Sequence, residues 1–362
     1  MIATTRLDAL RRRLAADGAG AVLITLPSSL RYVTGFEGVI DDGINAAALV
    51  TADGARFFTD GRYIEAARAA AIGGEWEIVP QRENLYADVS ERMNALVLDT
   101  VLMESAAPHQ RFLKVGESFS GTVRPVDDYV EEIRIVKEPA EIEHIAEAAS
   151  IADAGFQHLL EYITVGATER QIAIELEFFM RTHGSEEMPF APIVASGPQG
   201  ARPHAIPGER RVKRGDLIVL DFGARVGGYC SDMTRTVAVG QAGDRDRELY
   251  EAVLAANEAG LAAVRAGVAA FDVDKAARDV LVERGLGDLF THGLGHGVGL
   301  DIHELPTVGP RSKAVLDVGN VITIEPGVYM EGLAGVRIED LVVVEELGRR
   351  RLTNAPKELI EL

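Results

Sequence analysis

The chain has a single cysteine, Cys230, among 362 residues. No intramolecular disulfide can form, and a reducing, cytoplasmic compartment is the simplest fit. Positive charge is also scarce: 37 Lys and Arg face 56 Asp and Glu, a formal net charge of −19. A nucleic-acid partner would need a basic footprint, so that class is excluded. No apolar run approaches the roughly 20 residues of a membrane span. Arg11-Arg12-Arg13 precedes an apolar stretch that Asp17 interrupts. A secretory leader needs an unbroken apolar core and a cleavage site, so residues 4–17 are expected to form an amphipathic surface helix instead.

What is present is an ordinary globular composition, 47% hydrophobic, with length for two domains and a sizeable core. Residues 21–26 read as a buried strand ended by Pro27. Residues 46–50 and 56–59 flank Asp53-Gly54, a hairpin signal. Residues 62–71 read as a helix and 97–103 as a strand. This alternation predicts a small α/β domain over residues 1–132. The linker is placed in the charged segment 127–137. Pro139 then opens a long helix, where its missing N–H is harmless, and 168–182 forms a second. Strands at 217–222 and 229–239 flank Gly227-Gly228. The order then recurs, with helices at 246–266 and 270–284 and strands at 321–325 and 336–344. Residues 133–362 are therefore expected to form an α+β domain with an internal pseudo-twofold repeat.

Five residues in that second half carry the chemistry: Asp221, Asp232, His296, Glu325 and Glu339. They lie in the segments LDFGARVGGYCSDMTRT, THGLGHGVGLDIHE, ITIEPG and GVRIED. Asp221 and Asp232 sit on opposite arms of the predicted hairpin, where cross-strand neighbours share a face. Arg337 and Glu339 share a face of one predicted strand. His296 is expected in a loop whose glycines let backbone approach an ion or substrate. Four buried, unpaired carboxylates would be very costly, and two divalent cations would balance their charge. An oxygen-rich set with one imidazole suits Mn²⁺ first, with Co²⁺, Fe²⁺ or Zn²⁺ as alternatives. The glycine-rich stretch is no dinucleotide fingerprint, because Val298 occupies the third glycine position. Cys230 has no nearby histidine and reads as a small buried hydrophobe.

At these residues the chain resembles the pita-bread metallopeptidases, in particular the Xaa-Pro branch of aminopeptidase P and prolidase. The likeness covers essentially the whole chain. Residues 29–36 (SLRYVTGF) and 59–63 (TDGRY) resemble the creatinase-like first domain of that branch, and 133–137 (IRIVK) the entry to its catalytic domain. Intervals of 11 residues from Asp221 to Asp232, 29 from His296 to Glu325 and 14 from Glu325 to Glu339 match the branch. Methionine aminopeptidases share the ligand types but have longer later spacings and no such first domain. Creatinase-like amidinohydrolases and non-catalytic binding relatives share the fold. Creatinase lacks the ligands, and the intact set here disfavours both.

The resemblance implies roles. Asp221 would hold one metal, Asp232 and Glu339 would bridge both, and His296 and Glu325 would complete the second. A water activated between the ions would be the nucleophile, with Glu325 as its general base. His204 and His303 would contact the scissile carbonyl or the prolyl side. His292 would stand behind them, with Arg337 as a charge partner near Glu339. The implied substrate is a peptide with a free N-terminus and proline second. Trimming of longer peptides is favoured over hydrolysis of dipeptides alone, and a homodimer is expected. After His303-Glu304, many relatives carry Pro plus an aromatic or arginine. Here the run is Leu305-Pro306-Thr307-Val308-Gly309-Pro310-Arg311.

Overall fold

The computed structural model describes residues 2–36, 38–41 and 43–362. The chain forms two compact units, residues 1–134 and 135–362. Among the described residues no helix is long and apolar enough to cross a membrane.

The first unit is a six-stranded mixed sheet flanked by helices. Its elements are α1 (Ile2–Asp17), β1 (Ala21–Ile24), α2 (Pro27–Thr34), β2 (Ala46–Thr51), β3 (Ala55–Thr59), α3 (Ile64–Ala70), β4 (Trp76–Pro80), α4 (Leu85–Ala95), β5 (Thr100–Glu104), α5 (His109–Gly116), β6 (Thr122–Val126) and α6 (Glu131–Arg134). The strand order is β4-β3-β2-β1-β5-β6. β1 and β2 are buried along their whole length, which is why AVLI and AAALVT read as apolar runs rather than alternating ones. Leu7, Leu10 and Leu14 form the buried stripe of α1. The strand expected from residue 97 begins at Thr100. Val97 is exposed with φ of 53°, a turn conformation that apolarity alone did not reveal.

The second unit repeats one pattern twice. Its first half comprises α7 (Pro139–Tyr162), α8 (Glu169–Thr182), β7 (Ile193–Ser196), β8 (Leu217–Phe222), the short hairpin β9 (Arg225–Val226) and β10 (Tyr229–Cys230), and β11 (Met233–Ala238). Its second half comprises α9 (Asp244–Ala263), α10 (Ala270–Glu283), β12 (Gly295–Gly297), β13 (Glu304–Val308), β14 (Val321–Ile324), β15 (Gly327–Met330), β16 (Ala334–Arg337), β17 (Asp340–Glu345) and β18 (Gly348–Arg351). A helix pair packs on each half's sheet and encloses a separate apolar core. Pro139 at the first turn and reciprocal Glu138/Glu141 bonds start α7, and Thr168 with Gln171 caps α8 in the same way. The halves join where Glu339 N–H donates to Thr234 O (3.0 Å) and Thr236 Oγ1 donates to Arg337 O (3.0 Å).

Three local expectations are corrected. The strand expected over 336–344 is two strands, β16 and β17, interrupted at Ile338-Glu339. The arm expected over 229–239 is likewise interrupted at Ser231-Asp232. His296 lies in strand β12 rather than in a loop, and its flanking glycines serve backbone packing. A Cβ on Gly295 would lie 2.0 Å from Thr323 O, and one on Gly297 2.2 Å from Leu305 O. Only glycine permits that approach between neighbouring strands.

Candidate active site

All nine residues singled out in the sequence line one cavity of about 800 Å³ in the second unit. Asp221 lies near the end of β8, opposite Thr234 of β11. Asp232 immediately precedes β11, two residues before Thr234, and lines the same cavity as Asp221. Glu325 follows β14, and Glu339 occupies the interruption between β16 and β17. Both breaks in the strands therefore carry a carboxylate, freed from the regular ladder to turn inward.

The histidine tautomers are set by their neighbours. His296 Nδ1 lies 3.0 Å from Gly297 O, which can only accept, so Nδ1 carries the proton. Its Nε2 lone pair then faces Glu325 Oε1 at 3.3 Å and Asp232 Oδ2 at 3.6 Å. A lone pair facing two carboxylates is repulsive unless a cation or proton lies among them. Burial depresses the His296 pKa, which disfavours the proton. Asp221 Oδ1 and Asp232 Oδ1 are buried with no hydrogen-bond partner. Ligand atoms of Asp232, His296 and Glu339 lie within 4.8 Å of one another. The donor set fits divalent cations.

The carboxylates confirm the stress. Burial first, then the charges of Glu339, Asp221 and Glu325, raises Asp232 well above the usual carboxylate range. Burial lifts Glu325 to about 8, with Arg337 opposing the shift. Glu339 is raised by burial and by Glu325 and Asp221, although it accepts a 2.7 Å bond from Thr234 Oγ1.

Arg337 is the fixed positive charge beside this cluster. It donates through Nη2 to Asp221 Oδ2, through Nε to Thr234 Oγ1 (3.1 Å) and through Nη1 to Tyr329 OH (2.9 Å). His292 Nδ1 faces Gly293 O at 2.7 Å and so carries the proton, leaving Nε2 to accept from Tyr329 OH at 2.9 Å. Burial lowers the His292 pKa to about 4, consistent with a neutral ring. His303 stands edge-on to His296, with ring centroids 4.4 Å apart, and burial lowers its pKa as well. Cys230 is buried, its Sγ 3.6 Å from Leu300 O, and burial lifts its thiol to about 12, which leaves it inert.

Sequence reasoning passed over Tyr329 and Thr234. Thr234 follows Asp232 at a strand-period interval and could have been found on that ground. Tyr329 lies in an apolar strand, GVYM, and nothing local marks its hydroxyl as functional.

The sequence profile of metallopeptidase family M24 matches residues 143–346, over half the chain. The chain belongs to metallopeptidase family M24. The creatinase/prolidase N-terminal domain matches residues 6–136 of the same M24 protein. A solved Xaa-Pro dipeptidase from Bacillus anthracis is 38% identical, with a TM-score of 0.95 over 99% of this chain and 100% of that one. An Xaa-Pro dipeptidase of Pyrococcus furiosus is 44% identical over 237 residues, 66% of this chain and 68% of its own length. The X-Pro aminopeptidase structure from Thermotoga maritima is 34% identical, with a TM-score of 0.87 over 98% of this chain and 99% of that one. This M24 protein is thus a metallopeptidase with a creatinase-type first domain and a pita-bread catalytic domain, as the resemblance implied.

Proposed function

We propose that the chain hydrolyses the peptide bond between an N-terminal residue and a following proline, using two divalent cations, Mn²⁺ first. The His296 lone pair facing Glu325 and Asp232 carries this reading, because a bound cation resolves that contact. Asp221 would hold one cation, Asp232 and Glu339 both, and His296 and Glu325 the other. Bound there, such ions supply Lewis acidity and make water nucleophilic near neutral pH.

The chain's own groups supply the rest. Glu325, at the cavity wall, takes up the proton released as the water oxygen bonds to the carbonyl carbon. That proton passes to the proline nitrogen as the C–N bond breaks. His204 and His303 line the same cavity and steady the carbonyl oxygen and leaving nitrogen by hydrogen bonding. Arg337 holds Asp221 and the Thr234–Glu339 pair in place.

In place of the longer peptides favoured from the sequence, we put dipeptides first as substrate. The support is that relatives named Xaa-Pro dipeptidase match the chain, one of them over almost its whole length. Trimming of longer peptides is the second reading. It draws on the open cavity of about 800 Å³ and on the likeness to the Thermotoga maritima X-Pro aminopeptidase. The test is hydrolysis of Xaa-Pro against Xaa-Pro-Yaa by chelator-treated protein reloaded with Mn²⁺. Cleavage of the dipeptide alone supports the first reading, and cleavage of the tripeptide supports the second. Failure on both, with metal bound, sinks the Xaa-Pro assignment. A homodimer is part of the proposal, read out by sedimentation velocity.

A further inference from the structure

Behind the cavity, the two glutamates are fastened to each other by a residue outside it. Asn257 of α9 is fully buried. Its Nδ2 donates to Ile324 O (2.9 Å) and to Ile338 O (3.2 Å). These are the residues immediately before Glu325 and Glu339. Its Oδ1 accepts from Lys357 Nζ (2.9 Å). The amide orientation follows from its partners, since two carbonyls can only accept and an ammonium can only donate. Lys357 is held in turn by Glu258 and by Asp340 Oδ2 at 3.0 Å.

The surroundings of Asn257 argue for a purpose. Its neighbours on the buried face of α9 include Val253, Ala256, Gly260 and Leu261. A leucine, close to asparagine in shape, would suit that apolar face. An amide is the group that can donate to two carbonyls and accept from an ammonium at once. Glu325 lies just past the end of β14 and Glu339 in a strand break; their N–H groups reach Leu294 O (2.8 Å) and Thr234 O (3.0 Å) in different neighbours, and Asn257 is the group that ties the two preceding carbonyls together.

We propose that Asn257 is a positioning residue that sets the spacing of Glu325 and Glu339, and with it the affinity for divalent cations. The inference rests on the reading that these carboxylates hold cations. Groups that orient metal ligands change affinity by about 10–100-fold when removed.

The test is calorimetric titration of Mn²⁺ into chelator-treated full-length wild type, Asn257→Leu and Asn257→Ser, with far-UV circular dichroism to establish folding. Asn257→Leu keeps the shape without the bonds, and Asn257→Ser, with less bulk, reaches at most one carbonyl. The expected result is at least about 10-fold weaker Mn²⁺ binding in the folded variants. Turnover of an Xaa-Pro peptide should fall through kcat, with KM within about 2-fold, because Asn257 does not line the cavity. A role confined to folding would lower melting temperature and leave Mn²⁺ affinity in the folded fraction at the wild-type value. That outcome, in either folded variant, overturns the proposal. Absence of Mn²⁺ binding by wild type instead refutes the reading of the site, and the proposal falls with it.

Discussion

Glu104 offers a test that is independent of the cavity. It ends β5, is 2% exposed, and accepts from the backbone N–H of Thr25 (2.7 Å) and Leu26 (3.1 Å) at the start of α2. Burial lifts its pKa from 4.5 to about 7, against the lowering effect of Thr25, Ser29 and Leu26. The folded state therefore binds this proton more tightly than the unfolded state. The contribution to stability is fully present below about pH 4.5 and is lost as pH rises through 7. With those two values, linkage gives a loss of about 2–3 kcal/mol between pH 5 and pH 8.5. Glu104→Gln keeps an oxygen for the two N–H donors and cannot ionise. Any fixed packing difference cancels when its stability gap to wild type is compared at the two pH values. The assay is urea unfolding followed by fluorescence of Trp76, the single tryptophan, which lies in the first unit and is buried there. The gap should shift by about 2–3 kcal/mol in favour of the glutamine at pH 8.5, or about 1 M urea at the usual slope for this size. A gap that changes by less than about 0.5 kcal/mol refutes the buried-carboxylate account.

Asp232→Ala or Glu339→Ala should lose Mn²⁺ binding and Xaa-Pro hydrolysis together, and wild-type turnover in either would end the bridging assignment. Lys137 and Glu304 form a buried pair at 2.9 Å. Lys137→Met should destabilise the protein by about 3–5 kcal/mol in chemical unfolding, and Lys137→Met with Glu304→Leu should recover much of that; equal losses in both would show that charge is irrelevant there. Arg278 grips Asp274 and donates to Phe290 O (3.0 Å) and His292 O (2.8 Å), holding one cavity wall. Arg278→Lys keeps the charge without the fork, so kcat/KM should drop about 10-fold, with Mn²⁺ affinity unchanged in calorimetry.

Much of the site was legible because its chemistry is local in sequence. Asp221 and Asp232 are separated by a hairpin that brings both to one cavity. Glu325 is followed by Pro326 and Glu339 by Asp340, and each pair interrupts an apolar run. The secondary structure was less legible where apolarity misleads. Val97 begins an apolar run yet takes a turn conformation, and residues 336–344 look like one strand although Glu339 interrupts it. His296 seemed to need a loop, whereas its glycines exist to let β12 lie against Thr323 and Leu305.

The sequence by itself determined the identities and intervals of the candidate ligand residues, the two-part organisation and the likeness to the Xaa-Pro branch. These depend on residue identity and short separations along the chain. Tertiary structure decided the burial that disfavours the charged forms of His292 and His296, and it brought the Tyr329 hydroxyl to His292 Nε2. It also decided the coupling of Arg337 to Asp221, Thr234 and Tyr329, and of Asn257 to Ile324 and Ile338. Those partners lie from 8 to 116 residues apart. Arg337 meets Asp221 and Thr234 only when strands from both halves close around one cavity, and Asn257 meets its carbonyls only when α9 packs on the second sheet, since no local propensity records which distant carbonyl a buried amide will meet.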